Sequence, residues 1–178
     1  MDKTTSLVLP VTLSELTKFL AFLALSILSF FVPFAFGQPQ WLVGTIVNAC
    51  LFLSAIYLPK KYYIPLIILP SLGVLARGAV FGPFTFFIIY FLPFIWLANL
   101  LLVLVFKKAI SLGIFSVAIS AFAKFLFLIA IANIYFSFNL APKLFLQTMG
   151  LNQLITALAG GLIAFIIFKI YGQFNARS

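Results

Sequence analysis

Six long apolar runs, separated by short polar, proline-bearing or glycine-bearing interruptions, organise the chain. They cover about residues 19–36, 41–58, 62–76, 84–106, 109–138 and 144–171. An α-helix needs roughly 20 apolar residues to cross a hydrocarbon core about 30 Å thick, and most of the runs are near that length. The interruptions carry turn chemistry. They are Gly37-Gln38-Pro39-Gln40, Pro59-Lys60-Lys61, Arg77-Gly78 with Gly82-Pro83, Lys107-Lys108, and Asn139-Leu140-Ala141-Pro142-Lys143. The third run is short and holds Pro65, Pro70 and Gly73, so a kinked or broken helix is expected there. The fifth is longer than one perpendicular crossing requires, which predicts tilt, bending or projection beyond the core. Residues 1–12 are a polar lead-in, and Thr12 with Glu15 has capping-box spacing, which predicts a helix start near Leu13. The pattern predicts an all-α membrane protein. It is a single transmembrane domain over 1–178, built as a bundle of six transmembrane helices. The first run is long, and no small-x-small site follows it, so a cleaved signal peptide is not expected.

Composition agrees with lipid as the solvent. Of 178 residues, 65% are apolar and 7% charged, more apolar surface than a soluble domain of this size can hide. Eleven Lys and Arg face two acids, Asp2 and Glu15, for a net charge of +9. There is no basic stripe outside the runs, so no nucleic-acid partner is expected. The basic residues instead report orientation. With the N-terminus inside, Lys3, Lys18, Lys60, Lys61, Lys107, Lys108, Lys169 and Arg177 are cytoplasmic, eight of the eleven. The positive-inside rule therefore predicts both the N-terminus and the C-terminus on the cytoplasmic side.

The lysines also give a ruler, at about 1.5 Å per helical residue. Lys124 lies sixteen residues beyond Lys108, roughly 24 Å from the inner boundary. Arg77 reaches a similar depth from Lys61, and Asn152 and Gln153 stand at about 24–25 Å counted back from Lys169. Thr156 is at about 20 Å and Asn48 at about 18 Å, whereas Asn99 is the exception at about 12 Å. Polar groups on four runs thus gather in the outer half, which points to a pocket there, open to the outside. An ionisable side chain within a span is expensive unless it faces a cavity or partner. Two readings stay open for Lys124: a pocket residue, or a stem that snorkels outward. Arg77 is either a pocket residue or a marker of the outer interface beside a Gly-rich loop. Neither has an acid available at membrane depth, so two cations near one cavity favour an anionic ligand such as a carboxylate. A neutral ligand remains open. Trp41 and Phe36 flank the first outer turn and read as belt or packing residues, or as a cover over the pocket.

Catalysis is not expected. The chain has no His, no acid at membrane depth, no metal-ligand cluster and no nucleotide-binding loop, so no metal or cofactor is assigned. Cys50 is the only cysteine and reads as packing. Ala157, Gly160, Gly161 and Ala164 offer a face for close helix approach within the bundle. Ser116 and Ser120 share the Lys124 face at four-residue spacing. The remaining classes are a solute-binding transport protein and a non-catalytic structural or assembly subunit of a larger membrane complex, in which Lys124 pairs with a partner helix.

Local sequence sharpens the first class. Gly44-Thr45-Ile46-Val47-Asn48-Ala49 and Pro93-Phe94-Ile95-Trp96-Leu97-Ala98-Asn99-Leu100-Leu101-Leu102-Val103, in a six-span chain of about this length, resemble the substrate-binding (S) components of energy-coupling factor (ECF) transporters. The resemblance implies uptake of a small vitamin or micronutrient across a prokaryotic plasma membrane. A membrane coupling subunit and two ATPase subunits would be the partners. It also implies a substrate site in the outer half, between the first outer loop and the last three spans. One feature departs from the family pattern: Ala21 and Ala24 on the first span are three residues apart rather than four.

Overall fold

The computed structural model describes residues 14–78 and 82–175, and of residues 82–84 and 171–175 the backbone alone. Every regular element among them is helical. The order is α1 (Glu15–Ala35), α2 (Gln40–Tyr57), α3 (Tyr63–Arg77), α4 (Ile88–Ala109), α5 (Phe115–Ser137), α6 (Leu144–Thr148) and α7 (Leu151–Asn175). Short 3₁₀ turns precede α3 and α4 and follow α4.

The helix ends follow local chemistry. Ser14 caps α1, its hydroxyl accepting from the Thr17 backbone N–H at 3.2 Å, and Glu15 in the first turn complements the helix dipole. The first helical residue is Glu15; Leu13 and Thr12 lie outside the described residues. Gly37 and Gly78 leave α1 and α3 in left-handed conformations, at φ 61° and 82°, which glycine adopts without a Cβ penalty. α3 continues through Pro70 as one helix, so no break occurs there.

Two other expectations change. The fifth run is not one continuous helix. Residues 110–114 form a 3₁₀ turn and a bend at Gly113 (φ 61°), and α5 begins only at Phe115. The sixth run is divided into α6 and α7 at Met149-Gly150. A Cβ on Gly150 would collide with the Leu146 carbonyl and stand 2.7 Å from Ile129, so the tight join needs glycine.

Among the described residues, five helices are long and apolar enough to cross a membrane: Glu15–Ala35, Gln40–Tyr57, Thr85–Leu112, Phe115–Ser137 and Leu144–Ile170, the last two-part. Their exposed faces are apolar, unlike those of a soluble bundle. Phe115, Leu16 and Leu126 are exposed, while Ser29, Asn48, Asn99, Ser120 and Lys124 are buried. An apolar exterior over a core that is itself largely apolar, with a few buried polar groups, is stable in lipid and costly in water. The chain is a helical membrane protein.

α2 is the central helix, packed against α1, α3, α4 and α7. Gly160 brings α7 closest: a Cβ there would stand 2.6 Å from the Thr45 carbonyl and 2.7 Å from the Ala49 nitrogen. Ala157 and Ala164 are buried on the same face, so the small-residue stripe is used inside the bundle. This contact sets the position of Asn48, whose Cβ also meets Gly160.

Candidate ligand cavity

Three helices meet around one ammonium group. Lys124 on α5 donates to the Asn48 side-chain oxygen on α2 at 2.8 Å and to the Asn99 side-chain oxygen on α4 at 2.9 Å. All three residues are buried, with Lys124 only 3% exposed. Both amides are oriented by their other ends. Asn48 Nδ2 donates to the Gly44 carbonyl at 2.8 Å and to Thr156 Oγ1 at 3.2 Å. Asn99 Nδ2 donates to the Ile67 carbonyl at 3.3 Å. With their N–H groups engaged on carbonyls and a hydroxyl, the two amides present oxygens to the lysine.

The cluster lies midway along α2, α4 and α5, not toward the helix ends far from Lys108. Counted from the helix ends on the Lys108 side, Lys124 is nine residues into α5 and Asn48 nine residues before the end of α2. Asn99 is ten residues before the end of α4. All three therefore stand at about 14–15 Å. The straight count from Lys108 places Lys124 about 10 Å too deep, because residues 109–114 turn rather than climb. The same correction brings Asn99, the exception by that ruler, level with Lys124. The direction of the side chain contributes as well. Helical Cα–Cβ bonds tilt toward the helix N-terminus, so the Lys124 stem leans back toward the α5 start instead of snorkelling away from it.

Above the cluster opens a cavity of about 110 Å³. Lys124, Asn48 and Asn99 form its floor, and Gly37, Gln40 and Gln153 lie toward the α1–α2 turn. The walls between are apolar, including Val47, Val74 and Ile95. Ser71, whose hydroxyl accepts from Trp96 Nε1 at 3.1 Å, adds one more polar wall group. The space holds several waters or one end of a small solute, so the rest of a larger solute has to extend toward Gly37 and Gln40.

An ammonium has three donors, and the two asparagines take two. The only acid among the described residues is Glu15, paired with Lys18 at 2.8 Å. The floor thus presents an amine with no carboxylate beside it among the described residues, and one donor remains for an occupant. In its protonated form such an amine, in a low-dielectric site, strongly favours an anion.

The other expected site residues divide. Gln153 lines the cavity. Thr156 stands behind it, donating to the Asn152 carbonyl at 2.8 Å while accepting from Asn48. Asn152 donates to Gln40 Oε1 at 3.1 Å and so ties α7 to the rim of the α1–α2 turn. Arg77 belongs elsewhere. Its guanidinium donates to the Phe34 and Ala35 carbonyls at 2.9 and 2.5 Å, closing the C-terminal end of α1, and its stem covers Gly37. Arg77 is exposed and does not join Lys124. Trp41 is 63% exposed and lies outside the cavity lining. Sequence reasoning left out Asn99, Gln40 and Ser71. For Asn99 the signal was present, since it is the one amide in the apolar sequence of α4.

No protein-family model, curated protein or solved structure matches the chain.

Proposed function

We propose that this protein is the membrane-embedded substrate-binding subunit of an uptake system for a small anionic micronutrient or vitamin. The observation that carries the reading is the Lys124 ammonium, held by Asn48 and Asn99 at the floor of a cavity with no carboxylate beside it among the described residues. The solute enters from the end of the bundle that carries Gly37 and Gln40, its charged group descends to Lys124, and its apolar part lies along Val47, Val74 and Ile95. No bond of the solute is made or broken. The resemblance to ECF S components supports this reading and supplies the energy source: a separate membrane coupling subunit with two ATPases reorients the bundle and releases the solute inward.

In this reading the chain crosses a prokaryotic plasma membrane six times, with both termini cytoplasmic. The sixth crossing is α3. Its 15 residues give about 22 Å, and the preceding 3₁₀ turn Lys60–Tyr62 adds about 6 Å, close to one hydrocarbon thickness. The lysine bias supports the orientation, which puts the cavity mouth outside.

Native mass spectrometry of the protein purified from its own membranes tests the proposal. A retained small anion, lost on replacing Lys124, is the expected result. Large membrane proteins that co-purify without any small ligand would instead assign a structural or assembly role.

A further inference from the structure

The floor of the solute cavity limits the kind of anionic group it can satisfy. Asn48 and Asn99 spend their amide N–H groups on the Gly44 and Ile67 carbonyls and on Thr156, so toward Lys124 they present only oxygens. Lys124 is the one basic residue among the described residues that line the cavity, and Arg77 is engaged on the Phe34 and Ala35 carbonyls. A single Lys124 donor therefore meets the anion. A phosphate brings three strong acceptor oxygens and would bury more of them unpaired than a carboxylate does.

The mouth holds neutral polar groups with capacity to spare. Gln153 lines the cavity, half-buried, and its side chain makes no hydrogen bond among the described residues. Gln40 Oε1 accepts from Asn152 at 3.1 Å, which leaves the Gln40 amide N–H groups. On the wall between, Ser71 accepts from Trp96 and keeps its own O–H donor. On α2, Gln40 stands eight residues from Asn48 toward the mouth, about 12 Å. On α7, Gln153 stands three residues from Thr156, the partner of Asn48, about 4.5 Å in the same direction. The Cα–Cβ bond of Gln153 tilts toward the start of α7, which carries its amide further toward the mouth.

A polar floor, apolar walls and a second polar level at the mouth match a solute of the same order. We propose that the solute is a slender monocarboxylate with a neutral, amide-like group at its far end. The carboxylate lies on Lys124, an apolar middle lies between Val47 and Ile95, and the far group pairs with Gln153 and Gln40. This inference rests on the solute-binding reading above and narrows it. A solute with an apolar far end would cover the Gln153 amide without pairing it, whereas an amide both donates to it and accepts from it. A second carboxylate there would meet no basic lining residue among those described.

The test is isothermal titration of the full-length protein in neutral detergent with adipic acid monoamide, heptanoate as its apolar-ended match, adipate, and pentyl phosphate. The monoamide should bind about fivefold more tightly than heptanoate, the yield of one net hydrogen bond, and more tightly than adipate or pentyl phosphate. Gln153→Leu should bring the monoamide level with heptanoate. The ratio of the two affinities cancels any general loosening of the cavity, and Gln153→Met carries the same test if Gln153→Leu does not fold. Suppose that Lys124→Met abolishes binding, but the monoamide is no tighter than heptanoate, or its preference survives Gln153→Leu, or pentyl phosphate binds best. Each of these overturns the inference and leaves the solute site standing. Binding that persists in full in Lys124→Met removes the site itself, and the inference with it. Binding of none of these probes by the parent protein also overturns the inference.

Discussion

The Lys124 ammonium of α5 and the Asn99 side-chain oxygen of α4 lie 2.9 Å apart, at the same depth in the bundle. Twenty-five residues separate them, with the turn at residues 110–114 between. This pair, with Asn48, places an ionisable amine in the apolar interior with no carboxylate beside it among the described residues.

Asn99→Asp tests that idea with almost no change of shape. The new carboxylate would lie against Lys124, satisfy its charge, and remove the reason for an anion to enter. Anion affinity should fall at least about tenfold while the thermal midpoint holds or rises, because an opposite charge beside a buried ammonium is favourable. Isothermal titration with the retained solute and thermal unfolding in the same detergent give the two readouts.

Lys124→Met should separate binding from folding. The substitution deletes the charge-assisted contact to the solute, worth about 1.5–3 kcal/mol, or roughly 10- to 150-fold in affinity. Folding gains from losing an unpaired buried charge and loses two amide–ammonium bonds, so stability should stay within about 2 kcal/mol of the parent protein. Unchanged binding would count against the cavity.

Arg77→Ala should behave in the opposite way. Arg77 closes the end of α1 and covers Gly37, and it touches no cavity floor residue. Loss of an exposed helix-end contact costs about 1 kcal/mol or less. Hydrogen exchange should quicken at residues 34–40, with a smaller loss of affinity than Lys124→Met produces. An equal loss would restore Arg77 to the binding site.

Gly160→Val should disturb both properties. Its Cβ would press on the Thr45 carbonyl and the Ala49 nitrogen, which are backbone atoms and cannot swing aside. Overpacking of this kind costs about 1–3 kcal/mol, and the strain falls on the turn of α2 that carries Asn48. A lower unfolding temperature together with weakened solute binding is expected; a variant as stable as the parent would contradict the close approach of α2 and α7.

The orientation has its own test. Cys50 is buried, so an impermeant thiol reagent should leave the parent protein unlabelled in intact cells. A cysteine at Lys143 should react from outside, and one at Lys108 only after permeabilisation. The reverse pattern would invert the bundle and close the proposed route of entry.

Much of the architecture was legible in the chain. Runs of apolar residues long enough to span a membrane, punctuated by Gly37, Pro59 and Gly78, set where the helices lie, because in lipid the backbone must satisfy its own hydrogen bonds. The unusual position of Lys124 was legible for the same reason: a charge in an apolar run stands out. Depth was not, since a constant rise per residue holds only within a continuous helix, and Gly113 and Gly150 interrupt two of the six runs. Nor was the partner of each polar group. Asn99 and Arg77 look alike in sequence as polar residues near apolar spans. Only the packing of α4 against α5 and of α1 against α3 sends the asparagine to Lys124 and the arginine to the carbonyls of Phe34 and Ala35. Periodicity and hydropathy are local properties and determine the elements. A hydrogen bond across the bundle depends on the relative rotation and depth of two helices, and those are decided by side-chain contacts between residues far apart in the chain.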